Sequence, residues 1–172
     1  KTPLVPCVNS IAAASPATDV PESAQEAFAH AEVLCEQQRF TEAVPLFESV
    51  LQIFEGDKEA SMPASFVAEV WAHRGVAMQS LDRVPEAVES YKKAVATDSS
   101  LHVCFANLAT LHAYLREREQ ALDFINRALA LDPQNHTYCQ IKNHLNEESG
   151  DTPAISDARQ DAGADDVSEG SS

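Results

Sequence analysis

Positive charge is what this 172-residue chain has least of. Twelve Lys and Arg stand against 27 Asp and Glu, giving a formal net charge of −15. Nucleic acid and anionic membranes are bound through clustered cations, so neither is an expected partner. Long apolar runs are also missing: nothing approaches the roughly 18 apolar residues that a membrane-spanning helix needs. Glycine is scarce, at 5 residues, and no glycine-rich loop for a phosphate occurs. Nor is there a Gly-x-Ser-x-Gly elbow, a Cys-x2-Cys or a His-Glu-x2-His. The four cysteines, at positions 7, 35, 104 and 139, show no close pairing. Cys35 and Cys104 read as small buried thiols, and a reducing, cytoplasmic setting fits them best. The densest set of metal-ligand types, His136, Cys139 and His144, would spread over roughly 140° of a helix, too wide for one tetrahedral site. We therefore expect no metal, no cofactor and no catalytic residue. Acidic pairs along the chain read as solvated helix faces.

What is present is a repeat. In residues 102–135, Phe105, Leu108, Ala109 and His112 fall at helical spacing, and so do Ala121, Phe124, Ile125 and Ala128. The polar run Arg116–Glu119 separates the two segments, and Asp132-Pro133 closes the second. About 34 residues earlier the pattern returns in register: Trp71 over Phe105, Gly75 over Ala109, Met78 over His112, Ala87 over Ala121, Tyr91 over Ile125 and Ala94 over Ala128. The small residues mark where two antiparallel helices approach closely, and one large residue per helix fills the space that remains. A third copy, set by Ala31, Ala43 and Phe47, occupies about 24–57, and roughly ten residues are inserted before the next copy. Pro63 predicts a helix start that lengthens the following helix backwards. Pro45 and Pro85 fall in the first turns of their helices, where a missing N–H costs least.

The pattern Trp-x2-Leu-Gly-x2-Tyr, then Ala-x3-Phe-x2-Ala, then Pro is that of the tetratricopeptide repeat, and the copies here resemble it through Trp71, Gly75, Ala87, Ala94, Ala121, Ala128 and Pro133. The resemblance implies an all-α fold of three helical hairpins in a right-handed superhelix, with repeats at about 24–57, 68–101 and 102–135. A capping helix is expected at about 136–149, where Tyr138, Ile141 and Leu145 would cover the last repeat. The domain would span 22–149, between a mostly disordered Pro- and Ala-rich linker at 1–21 and an acidic disordered tail at 150–172. The chain does not begin with Met, and we read it as a piece of a longer one.

In this family the first helix of each repeat lines a concave groove. Carried over by position, the candidate peptide-binding residues are Phe28, Glu32, Glu36, Glu69, His73, Val76, Val103, Asn107, Thr110 and Tyr114. A side-chain amide such as Asn107 can donate to and accept from one peptide group of an extended segment. Glu32, Glu36 and Glu69 favour a neutral to basic segment. The layout is similar to that of immunophilin-type co-chaperones, which hold chaperone C-terminal carboxylates with Lys, Asn, Asn, Lys and Arg. Here those five positions carry Phe28, Glu32, His73, Val103 and Asn107, so the layout resembles and the clamp chemistry departs. The expected function is an adaptor or scaffold module that binds a protein segment and is not an enzyme. Two alternatives stay open: a divergent co-chaperone, or a regulatory domain of a larger isomerase or phosphatase whose catalytic part lies elsewhere. No oligomeric state is indicated.

Overall fold

The computed structural model describes residues 20–56 and 62–147, and the expectations for the linker, for part of the insertion and for the acidic tail lie outside them. Among the described residues seven α-helices follow one another: α1 (Glu22–Glu36), α2 (Phe40–Gly56), α3 (Ala64–Ser80), α4 (Val84–Thr97), α5 (His102–Tyr114), α6 (Arg118–Leu131) and α7 (His136–Glu147). Pro21 and Pro63 cap the starts of α1 and α3, and Pro85 sits in the first turn of α4, where the fixed φ helps and no intrahelical N–H is needed. Pro45 lies further in, as the sixth residue of α2.

Packing is almost entirely between neighbours in sequence. The pairs α1–α2, α3–α4 and α5–α6 form tight hairpins, and α2–α3, α4–α5 and α6–α7 join one hairpin to the next. Such nearest-neighbour stacking is the architecture of a helical solenoid. Within each hairpin a small residue of the first helix shares the repeat register with a large one of the second: Ala31 with Phe47, Gly75 with Tyr91, Ala109 with Ile125. All six are buried. A Cβ placed on Gly75 would stand 2.6 Å from Tyr91 Cε1, so the tyrosine ring lies directly on the glycine backbone. Its hydroxyl donates to Gln79 Oε1 at 2.8 Å, which satisfies the one polar atom of an otherwise enclosed side chain.

The helix α5 joins two cores. Val103, Cys104, Leu108 and Leu111 belong to the cluster built by α1–α4, while Phe105, Ala106 and Ala109 pack with α6 and α7. Residues 103–112 are all buried, as expected of a helix that is apolar on every side. The helix α7 seats Tyr138 and Leu145 in the second core, and the Tyr138 hydroxyl lies 2.8 Å from His102 Nδ1.

Each hairpin turn is built the same way. Gln38, Asp82 and Arg116 have φ of 61°, 60° and 63°, the left-handed region. Around them the N–H groups of Arg39, Arg83 and Glu117 donate to the carbonyls of Leu34, Met78 and His112, five residues back, at 2.8–2.9 Å. This is the Schellman closure, normally made with glycine, here made three times without it. Glycine would relieve the Cβ clash while adding backbone freedom to the unfolded chain. Gln38→Gly is therefore expected to stabilise the protein by roughly 0.5–1 kcal/mol. A higher midpoint in urea unfolding at unchanged slope is the measurement that checks it.

Candidate peptide-binding groove

The ten residues expected to face the groove come from α1, α3 and α5 and meet different fates. Phe28, His73, Val103, Asn107 and Thr110 are buried, Glu32, Glu69 and Val76 are half-buried, and Glu36 and Tyr114 are exposed. Asn107 is enclosed completely, and the Thr110 hydroxyl turns back to donate to the Asn107 carbonyl at 2.8 Å. With Asn107 at zero exposure its amide serves packing in this state, and the accessible surface of the α5 face falls to Tyr114 at 60%. Why the helix buries so much is visible in its composition: Ala106 and Ala109 let the neighbouring helices close in.

The structure brings Phe28, Glu32, Glu69 and His73 together. The His73 ring stands edge-on to Phe28 at 5.3 Å between centroids, and tilted to Phe47 at 6.2 Å. Its Nδ1 lies 2.9 Å from the Glu69 carbonyl, which can only accept, so Nδ1 carries the proton. The other nitrogen faces the Glu32 carboxylate at 3.6 Å. Burial dominates this site and holds the His73 pKa below its ordinary value, against the pull of the Glu69 carbonyl and Glu32. The same acidic wall raises its neighbours: burial, then Glu32 and Asp98, lifts Glu69, and burial with Glu32 pushes the Cys35 thiol up to about 11. A thiol so shifted is protonated and unreactive at neutral pH.

Contacts that sequence periodicity does not reveal tie the repeats together. Arg74 donates to Ser90 Oγ at 2.6 Å and to Glu48 Oε1 at 3.0 Å, linking α3 to both α4 and α2. Trp71 meets two cations, with Lys93 Nζ 4.2 Å and the Arg74 guanidinium 5.7 Å from its ring centroid. His112, read from spacing as a packing residue, stacks on Phe124 and pairs through Nδ1 with Glu117. Among the described residues no group of three or more His, Cys, Asp or Glu could hold a metal ion. Nor is any described helix long and apolar enough to cross a membrane.

Taken together, these elements define an all-α solenoid of stacked hairpins with a right-handed superhelical course. Direct comparison finds the same fold elsewhere. A tetratricopeptide-repeat profile matches residues 104–135, and the described helices have a fold similar to that of co-chaperone tetratricopeptide-repeat domains. Human tetratricopeptide repeat protein 6 is 28% identical over 79 residues, 46% of this chain and 15% of that protein, so the chain spans only a small part of its length. Among solved structures, the first such domain of Spaghetti (RPAP3), bound to the HSP90 peptide SRMEEVD, superposes with a TM-score of 0.65 at 16% identity, covering 78% of this chain and 99% of that one. The Sgt2 domain from Aspergillus fumigatus superposes at 0.63 with 13% identity, over 91% and 97% of the two chains.

The depressed His73 pKa has a consequence for stability. The unfolded chain takes up a proton near the ordinary histidine value while the folded one resists, so stability falls as pH drops from about 6.5 toward the folded pKa. Glu69 acts in the opposite sense and lower down: its raised pKa makes the fold lose stability as pH rises from about 4.5 toward the folded value. His73→Gln is expected to flatten the loss between about pH 7 and 5. Urea midpoints of both proteins across that range measure it, and parallel curves would contradict the assignment.

Proposed function

We propose that the chain is a non-catalytic protein-interaction module that holds an extended or short helical segment of a partner, neutral to basic in charge, along the concave face of α1, α3 and α5. The observation that carries this reading is the acidic wall formed by Glu32 and Glu69, where burial and then the Glu32 charge raise the Glu69 pKa, with Glu36 exposed beyond it on α1. Val76 and Tyr114 add accessible apolar surface, and Phe28, His73, Val103, Asn107 and Thr110 form the floor on which those groups stand. A cytoplasmic setting suits Cys35, Cys104 and Cys139, which are free thiols. An adaptor or scaffold role follows from a groove that binds without transforming its ligand.

A second reading, a divergent co-chaperone, draws on the complexes that similar folds make with chaperone peptides. In this chain the positions of a carboxylate clamp carry Phe28, Glu32, His73, Val103 and Asn107, and carboxylates need fixed cations. A role as the regulatory part of a larger enzyme is compatible with the same groove.

Calorimetry with the peptide SRMEEVD separates the two readings. The expected result is no binding tighter than about 1 mM. Peptides selected by display on the full chain should instead be neutral to basic, and Tyr114→Ala should weaken them about tenfold, the loss of one aromatic contact. Micromolar SRMEEVD binding that disappears on amidation of its C-terminus would favour the co-chaperone reading. Selected peptides that are acidic and indifferent to Tyr114→Ala and Glu69→Gln would overturn the groove.

A further inference from the structure

Helices α1 and α3 bring two hydrogen-bond acceptors face to face, Glu32 and one nitrogen of His73. The His73 Nδ1 donates to the Glu69 carbonyl at 2.9 Å, so in the neutral ring Nε2 carries a lone pair and no proton. That lone pair faces a Glu32 carboxylate oxygen at 3.6 Å, and a carboxylate also only accepts. The separation exceeds the about 2.7–3.2 Å of an N–H···O bond, as expected of two acceptors. Burial keeps the ring neutral at physiological pH: Phe28 and Phe47 pack against it, and its pKa lies below the ordinary histidine value. Glu32 itself is 44% exposed, so the pair can be reached from solvent on the α1 side. The groups that act on the pair add no positive charge. On α1 the protonated Cys35 thiol stands beside Glu32, on α3 there is Glu69, and Asp98 at the end of α4 bears on Glu69. Among the described residues no Lys or Arg pairs with Glu32 or Glu69.

We propose that the Glu32 carboxylate and His73 Nε2 form a subsite that takes a primary ammonium group of the segment bound in the groove. The inference rests on the reading of this face as the groove, and it narrows a neutral to basic segment to one that places this group at one position. A single nitrogen can lie about 2.9 Å from both of two acceptors 3.6 Å apart, and an ammonium has three N–H groups to give. One serves Nε2 and one serves Glu32, while Glu69 adds negative potential nearby. A quaternary ammonium matches the charge but has no N–H for Nε2, so the site distinguishes the two. A proton is the competing occupant of Nε2. Binding of the ammonium keeps His73 neutral, and affinity falls as pH drops toward the folded-state pKa of His73. Protonation of Glu69, whose pKa is raised, works in the same direction. A lysine side chain and a chain N-terminus both offer the group.

The test uses the full 172-residue chain with isotope-labelled histidine and two probes, n-butylammonium and tetramethylammonium chloride, at equal ionic strength. With neither probe, at about pH 7, the His73 resonances should show Nδ1 protonated and Nε2 bare. n-Butylammonium should move the Nε2 resonance saturably and lower the pH at which His73 titrates, and tetramethylammonium should do neither. Glu32→Gln should weaken the n-butylammonium response about tenfold, the loss of one charge-assisted hydrogen bond. An Nε2 that carries the proton at about pH 7, or equal responses to both cations, would overturn the proposal. Peptides selected by display on the full chain separate it from the groove reading. Acetylating their lysine or their N-terminus should cost at least about tenfold, and the one that does so identifies the source. Peptides that bind equally with both acetylated, yet weaken with Tyr114→Ala, would overturn the subsite and leave the groove. An n-butylammonium response at His73 beside peptides indifferent to Tyr114→Ala and Glu69→Gln would support the subsite and overturn the groove.

Discussion

The close approach of the two helices of each hairpin is the constraint on which the rest depends. Two helices can touch backbone to side chain only where one of them carries almost nothing, and the register places a buried small residue there three times, Ala31, Gly75 and Ala109, with the Tyr91 ring lying on Gly75. The second helices carry one large side chain at the matching position, Phe47, Tyr91 or Ile125, each with no exposed surface. Dense packing of this kind leaves no room for independent adjustment of either partner.

Fixing that contact fixes the turn and the stack. Helices held so close must reverse within a few residues, which the Schellman closures at Gln38, Asp82 and Arg116 accomplish at the expense of a left-handed non-glycine residue each. Adjacent hairpins then present their first helices side by side, and the concave face inherits whatever those helices carry. On α1 and α3 this is an acidic wall above a buried histidine. On α5 it is a helix so thoroughly buried that, of its candidate positions, Tyr114 alone stays exposed.

Much of this was legible in the sequence because a repeat carries the same physics more than once. The 34-residue register of Trp71 with Phe105 and Gly75 with Ala109 exposes the seats, and Pro63 marks the start of α3. The turns were less legible, because no glycine flags their left-handed residues. The one available signal was the spacing of Asp82 and Arg116, which obeys the same register. The candidate site was legible only as positions. The family's repeat positions, carried over, place Asn107 and Thr110 on the groove face, but whether a small-residue helix lets its neighbours cover them depends on tertiary packing. The Arg74 links to Ser90 and Glu48, and the facing of His73 and Glu32, join residues from separate helices and have no local signature.

The seat itself can be measured by exchanging one pair for another. Gly75→Ala and Tyr91→Ile, made singly and together, turn the second hairpin's pair into the alanine and isoleucine of the third. Gly75→Ala alone should destabilise, because overpacking at about 1–3 kcal/mol outweighs the gain of roughly 1 kcal/mol in helix propensity. Tyr91→Ile alone should destabilise by leaving space above the glycine. Urea unfolding of the double variant should show the two losses partly cancelling, with a coupling of about 1 kcal/mol or more. Losses that add to within about 0.5 kcal/mol would contradict the account, for they would mean that ring and glycine do not share one seat.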